Sequence, residues 1–508
     1  MNKITFFFAL LIFCSPFIFA QSLPNDIDIS SSENGVVALP NNISPAWANN
    51  GFVKYTKIVA PNGQAIHFVA QNQLSEAQIV RSRNILDFFL TNVPNTEYGT
   101  DKSSVANKMA ENDAILLLLN GADGEGNEPY LPGQYLFEDE IAVEGHSWYM
   151  NNNYEHRDAA FEEILHLMHD TGIGVDGPNS WPGAMPDYQA EIRNAQINAG
   201  LNNFEIWPIG ADSPFSGVGD WYDELDDENS LSQEYLASVI DSYYGLWGAF
   251  TEEAGGMWGI YIAKTRADIT TSDPLGMEVV EKYFSPYINV NMDIDPSFNG
   301  TFSMAFDAAM PYTHKSQYLQ HCTLTGSNAA ALKGNDLYNR LHGNDADNEL
   351  EGRKNNDYLD GKNGEDIAIF TGNAAEYVIS EQGNLTIVSD NIANRDGIDT
   401  LLNIEIMRFA DQDMSITTSI NEINEALFFH IFPNPCTDFL TIEYSKINVN
   451  TNNFSVQIFD ILGKKVIEKN IENAQNQTTF DIQNLPTGIY TIKMTNGHQT
   501  NSQKVFVQ

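Results

Sequence analysis

Cysteine and positive charge are scarce in this 508-residue chain, and long apolar runs are nearly missing. The three cysteines are Cys14, Cys322 and Cys436. The first lies in "MNKITFFFALLIFCSPFIFA", residues 1–20, where one early lysine, an apolar stretch and a small residue before Gln21 have the pattern of a cleaved secretory signal. The two remaining cysteines fall in different stretches, so a disulfide framework is excluded as what holds an exported chain of this length together. Beyond residue 20, runs such as "AILLLLNG" are far short of the roughly 18 residues a spanning helix needs, and no membrane span is expected. Basic residues number 26 against 68 acidic ones, a net charge of −42. Loss of the signal removes one lysine and no acid, leaving 25 against 68, near −43. That balance excludes nucleic acid as a partner. It leaves the carboxylates two uses: solubility in an extracellular or salty medium, and divalent-cation binding.

Against these absences stands an internal repeat. Residues 332–370 read "LKGNDLYNRLHGNDADNELEGRKNNDYLDGKNGEDIAIF". Leu332, Leu341, Leu350 and Leu359 recur every nine residues, as do Gly334, Gly343, Gly352 and Gly361, and the series Asn339, Asn348, Asp357 and Asp366. Leucine supplies a core, glycine permits tight turns, and carboxylate with backbone oxygen suits a hard cation. The pattern resembles the RTX nonapeptide GGxGxDxUx, which implies a parallel β-roll with calcium, Ca2+, between its turns. The second glycine of each unit is replaced by Asn335, Asn344, Arg353 or Lys362, and the sixth-position aspartate survives as Asp357 and Asp366. The expected calcium ligands are therefore Asp357 and Asp366, followed by Asp345 and Asn363. The roll is expected over 326–416, closed by strands that include "DGIDTLLNIEIMRFAD".

A linker at 417–429 leads to a β-rich end marked by "FPNPCTDFLTIEY", "VQIFDILGKKV", "LPTGIYTIKM" and "QKVFVQ". These motifs resemble the C-terminal sorting domain of the type IX secretion system. The resemblance implies an antiparallel β-sandwich over 430–508, the secretion machinery as a partner, and a secreted location, extracellular or at the outer cell surface.

Residues 21–325 remain for a specific activity. "FVKYTKIVAPNGQAIHFVA" predicts two strands around an Asn-Gly turn, and "SEAQIVRSRNILDFFLTNV" predicts a helix capped by Ser75, with Ile79, Ile85, Leu86, Phe89 and Leu90 on one stripe. The chemistry-bearing stretch is "RDAAFEEILHLMHDTGIG", Arg157 to Gly174. Steps of 100° bring Glu162, His166 and His169 within about 60° on one helix face. The stretch resembles the HExxH helix of zincins with Glu162 in place of the first histidine, and "SLSQEYLASVIDSYYGLW" resembles the third-ligand helix of gluzincins. The resemblance implies a zinc ion, Zn2+, on Glu162, His166 and Glu234, with His169 as rival ligand and Glu163 as general base. Tyr235, Tyr243 or Tyr244 would then support a tetrahedral intermediate.

The fold class expected is multidomain: an α+β zincin-like N-terminal domain, a parallel β-roll repeat and a C-terminal antiparallel β-sandwich. Two functions stay open. One is a secreted calcium-binding zinc peptidase acting on a protein or peptide substrate. The alternative is a non-catalytic extracellular calcium-binding adhesion or ligand-binding protein on a degenerate zincin scaffold.

Overall fold

An Asn-Gly pair between two alternating stretches makes the first hairpin. Phe52–Val59 and Ala65–Gln71 run antiparallel with Tyr55 opposite Val69, and Gly63 takes the left-handed φ of 84° suited to such a turn. Numbering Val37–Ala38 as β1, these strands are β2 and β3, followed by Ile115–Leu119 (β4) and Gln134–Phe137 (β5). They form a sheet in the order β1-β2-β3-β4-β5, antiparallel through β3 and parallel beyond it. β4 is buried along its whole length, as its continuous apolar sequence requires.

The computed structural model describes residues 22–124, 128–175, 183–200, 206–207, 218–416, 429–444, 453–461, 463–472, 477–495 and 500–508. The expected signal and all of the expected linker except Phe429 lie outside the described residues. The chain divides into two compact units, residues 1–415 and 416–508, with mixed helices and sheets in the first and antiparallel sheets in the second.

In the first unit, helix α1 (Pro45–Asn49) precedes the hairpin, while α2 (Glu76–Leu90) and α3 (Ser103–Glu111) cross from β3 to β4. Ser75 and Gln78 close α2 with a reciprocal capping box. Ile79, Ile85, Leu86 and Phe89 of the expected stripe are buried. Next come α4 (Ala160–Met168), α5 (Pro186–Gly200), α6 (Val218–Glu228), α7 (Leu231–Tyr243), α8 (Arg266–Ser272) and α9 (Pro274–Glu281). Phe88 and Phe89 of α2 set their rings 6.4 and 6.1 Å from Phe161 of α4, packing the two helices together.

The repeats build two ladders of short parallel strands. One contains β6 (Met292–Ile294), β8 (His321–Leu324), β10 (Arg340–His342), β12 (Tyr358–Asp360) and β16 (Ile398–Leu402); the other contains β7 (Thr301–Ser303), β9 (Ala331–Lys333), β11 (Glu349–Glu351), β13 (Ile367–Ile369) and β17 (Ile406–Arg408). The hairpin strands β14 (Tyr377–Gln382) and β15 (Leu385–Asp390) extend the first ladder, and β18 (Asp413–Ser415) extends the second. Leucines nine residues apart therefore alternate between ladders: Leu341 faces Cys322 and Leu359, and Leu350 faces Leu332 and Ala368. All four leucines are buried, worth about 2 kcal/mol each in transfer terms. A Cβ on Gly352 or Gly361 would meet Oδ2 of Asp357 or Asp366 at 2.4 Å, which accounts for the glycine series.

Both ladders begin before residue 326, since β6 and β7 pair with β8 and β9. Asp293 of β6 also accepts the Gly145 N–H at 3.0 Å through its carbonyl, joining the first ladder to the segment that leads into α4. The four-residue helix α10 (Thr313–Ser316) lies between, its Ser316 hydroxyl donating to Ser303 O at 2.7 Å.

Among its described residues the second unit holds two antiparallel sheets. Phe429–Phe432, Phe439–Tyr444 and Gln477–Asp481 form one, and Asn453–Phe459, Lys465–Glu472, Gly488–Thr495 and Thr500–Val507 form the other. Leu440, Ile442 and Phe480 from the first share a core with Val456, Ile458, Ile492 and Val505 from the second. Cys436 is part of that core, and burial pushes its thiol up to about 11, so it packs as an inert apolar group.

Candidate metal centre

Helix α4 is buried on nearly every side, its Ile164, Leu165, Leu167 and Met168 being almost wholly covered. Carboxylates in such a helix need partners. Its start is held by Asp158, whose Oδ1 accepts the Ala160 N–H at 3.4 Å and whose Oδ2 takes Arg81 Nη2 at 2.6 Å and the Tyr149 hydroxyl at 2.8 Å. Helix α7, also buried along its length, packs beside it. One potential ligand atom from each of Glu162, His166 and Glu234 falls within 4.8 Å of the others, and His166 Nε2 is 3.6 Å from Glu234 Oε1. The three residues are 2%, 5% and 3% exposed. Glu162 Oε1, His166 Nε2 and Glu234 Oε2 have no hydrogen-bond partner among the described residues. Orphaned polar atoms at that depth cost about 1–3 kcal/mol each unless something fills the gap between them.

Around this triad lies a second set of charges. Glu163, the least buried of the helix acids at 16% side-chain exposure, stands 3.6 Å from His166 Nδ1 and accepts the Gln134 amide N–H from β5 at 2.7 Å. Arg157 contacts Glu162 Oε2 through Nη2 and Asp241 Oδ2 through Nη1 at 3.3 Å. Its guanidinium lies 4.8 Å from the centre of the Trp258 ring. Met257 and Trp258 are consecutive non-glycine residues with φ of 47° and 52°, a conformation costing on the order of 1–3 kcal/mol per residue and typical of functional sites.

The metal-free charges follow from this crowding. Burial pulls the His166 imidazole down, but Glu234, Glu163 and Glu162 outweigh it and hold it at about 10. Burial lifts Glu234 to about 8 against the pull of His166, Glu140 to about 8 with help from Glu163, and Asp241 to about 7 in spite of Arg157. The cluster carries more acid than its own bases neutralise. A cation would relieve it.

The other expected residues are distributed differently. His169 is not part of the triad: seven residues of helix put it about 10 Å along the axis from Glu162, and its Nε2 pairs with Gln189 Oε1 of α5 at 2.6 Å. Tyr235 donates to Asp273 at 2.6 Å, Tyr244 to Ser285 O at 2.7 Å, and Tyr243 lies under the Arg266 guanidinium at 3.7 Å. All three tyrosines are thus committed away from the triad. In the ladders, Asp357 and Asp366 are buried at the starts of β12 and β13, with Oδ1 accepting the N–H of Asn339 and Asn348 at 2.7 and 2.8 Å. Their Oδ2 atoms have no hydrogen-bond partner among the described residues. Asp345 and Asn363 are exposed and bonded to each other at 2.8 Å. The four expected calcium ligands are therefore two buried residues in different ladders and one surface pair.

Sequence reasoning missed Arg157, Asp241, Gln134 and Trp258. Arg157 opens the quoted stretch, and the signal it offered was an arginine close before two adjacent glutamates in a chain poor in bases. Asp241, two turns on from Glu234 along the same face of α7, offered none.

Residues 430–508 match the family described as secretion system C-terminal sorting domain. Comparison with curated proteins gives no match. Similar solved structures include dimeric latent PorU from Porphyromonas gingivalis, at 15% identity over 24% of this chain and 12% of that one, TM-score 0.15. They include BC0361, a polysaccharide deacetylase from Bacillus cereus, at 15% identity over 16% and 30%, TM-score 0.14, and the extracellular lipase LipA from Serratia marcescens, at 10% identity over 72% and 57%, TM-score 0.18. The chain spans less than two thirds of the length of each, and likenesses so slight carry nothing about its fold or activity. No helix among the described residues is long and apolar enough to cross a membrane. The C-terminal unit is a type IX secretion sorting domain, which makes that secretion machinery a partner of the chain and directs it to the outside of the cell.

Proposed function

We propose that the protein is a secreted zinc-dependent peptidase with calcium-binding repeats. The observation that carries the reading is the buried convergence of Glu162, His166 and Glu234 within 4.8 Å with ligand atoms lacking partners. One imidazole and two carboxylates suit Zn2+, and three protein ligands are the number found where a fourth position is left for chemistry. A zinc ion there would supply Lewis acidity, polarising a scissile carbonyl and acidifying water. In this reading His166 ligates through Nε2, and Glu163 beside Nδ1 orients the ring. Glu163, the member nearest solvent, takes a proton from water and returns it to the leaving amine. Gln134 holds the carboxylate in place through its N–H. The N-terminal module is read as a zincin-like fold and the ladders as an RTX-type β-roll, in which Asp357 and Asp366 hold Ca2+ through their idle Oδ2 atoms.

The test is metal analysis of the secreted chain and of His166→Ala after dialysis, together with peptide hydrolysis by Glu163→Gln. About one zinc per chain, absent from His166→Ala, and hydrolysis lost in Glu163→Gln with the metal retained are the expected results. Absence of bound metal in the unmutated chain, or hydrolysis indifferent to Glu163→Gln, would overturn the reading. The second reading, a non-catalytic calcium-dependent adhesion or ligand-binding protein, is favoured by the Arg157–Glu162 ion pair, which occupies one oxygen of a ligand. It predicts a metal-free centre and unchanged surface attachment when Glu163 is altered.

A further inference from the structure

Glu162 occupies the place of a histidine in HExxH, and the exchange alters charge as well as shape. A neutral nitrogen donor becomes a carboxylate with two oxygens and a full negative charge. Arg157 lies against that carboxylate. Its side chain is 12% exposed, and its Nη2 contacts Oε2 of Glu162. A guanidinium keeps its charge at any working pH, and here it is gripped from two further sides. Nη1 is 3.3 Å from Asp241 Oδ2, an oxygen that also takes the Trp247 indole N–H at 3.0 Å. The Trp258 ring covers the guanidinium at 4.8 Å, and it does so from a left-handed backbone, φ 52° and ψ 26°, next to Met257 at φ 47°. Two successive residues in that region form a costly way to deliver one aromatic face, so the position of Arg157 is closely determined. Glu162 Oε1 is left without a hydrogen-bond partner among the described residues, and one oxygen of Glu162 lies within 4.8 Å of ligand atoms of His166 and Glu234.

We infer that Arg157 makes Glu162 the equivalent of a histidine ligand: the guanidinium takes one carboxylate oxygen and cancels its charge, leaving a single donor atom of low net charge for the metal. The inference rests on the metal reading above. Arg157 is a positioning residue that acts through Glu162 and touches neither ion nor substrate. Arginine at 157 and glutamate at 162 form a compensated pair, and a histidine at 162 has no use for the arginine.

The test uses the full-length secreted chain, zinc affinity by calorimetry, and the visible absorption of the cobalt-loaded protein, with variants Arg157→Gln, Arg157→Lys, Glu162→His and Glu162→His/Arg157→Gln. Arg157→Gln frees both oxygens at full charge, so zinc is held at least ~10-fold more tightly, and the cobalt absorption weakens as a second oxygen joins the coordination. Glu162→His alone sets an unpaired guanidinium beside a neutral ring and weakens zinc binding at least ~10-fold. The double variant restores affinity to within about 2-fold of the unmutated chain and restores the cobalt absorption. Arg157→Lys keeps the charge without the two-pronged grip; its affinity stays near the original while the absorption changes. Should Arg157→Gln fail to fold, Arg157→Lys and Glu162→His decide the matter by the same two readouts. Affinity and spectrum equal to the original in Arg157→Gln or in Glu162→His, or a double variant that binds zinc as weakly as Glu162→His alone, overturn the inference. If His166→Ala loses the metal in the same series, that failure leaves the metal reading standing, whereas an unmutated chain that binds neither zinc nor cobalt overturns both.

Discussion

His166 is the residue on which the charge of the centre turns. In the metal-free protein its folded value is raised from 6.5 to about 10, so its contribution to stability is fully present below about 6.5 and is lost as pH rises through about 10. Glu234 is raised from 4.5 to about 8, and the fold likewise loses stability as this acid is forced to ionise between those values. Both signs agree. Chelator-treated protein should melt at a lower temperature at pH 9 than at pH 6, and the difference should shrink in His166→Ala; thermal unfolding across that range checks it. Zinc competes with protons for the same atoms, so in the proposed reading the melting-point gain on adding zinc grows from pH 6 to pH 8. A gain that falls over that interval would place the ion elsewhere.

At the scale of the element, the ladders show how two chemistries serve one repeat. In the upper turns Asn339 accepts the Asn335 N–H at 2.8 Å through Oδ1 and donates from Nδ2 to Asn335 Oδ1 at 2.9 Å; Asn348 accepts the Asn344 N–H at 2.7 Å and donates to Ala330 O at 3.2 Å. A neutral amide uses both ends. Asp357 and Asp366 accept through Oδ1 from the N–H eighteen residues upstream, on Asn339 and Asn348, but their side chains have no N–H, and Oδ2 is idle. Burial raises both acids, Asp366 to about 7. Asp357→Asn and Asp366→Asn should each stabilise the calcium-free chain by about 1–2 kcal/mol, because the new N–H can reach the carbonyl 18 residues upstream. The same changes should abolish any rise in melting temperature on adding calcium. Destabilisation of the calcium-free chain by either change would mean that the carboxylates are already satisfied.

At the scale of the whole molecule, the triad and the ladders belong to one compact unit. Lys315 of α10 is buried, its ammonium pushed down to about 7 by that burial, and it contacts Asn152 and the rings of Trp148 and Tyr154 at 4.5 and 4.9 Å, just ahead of α4. Residues 22–325 alone would expose the ladder faces of β6 to β8, and that fragment should lose cooperative unfolding, whereas 22–416 should keep it; circular dichroism melts distinguish the two. Removal of 430–508 should leave the protein inside the cell envelope, read by its disappearance from the medium and surface fractions. What the sequence determined by itself is whatever is written in short-range order. The nine-residue leucine and glycine series reaches the ladders because each side chain's direction depends on its neighbours along the strand. The export motifs lie within one 79-residue stretch, and Glu162, Glu163 and His166 share a helix of nine residues. Tertiary structure decided which of these meet. His169 has the right helical angle and the wrong height, so Gln189 takes it. Glu234 closes the triad from 68 residues beyond His166, and Asp241 and Trp258 arrive from farther still to hold Arg157. No local pattern encodes those encounters; they follow from how α4 and α7 pack in a buried layer, where each charge must find its partner.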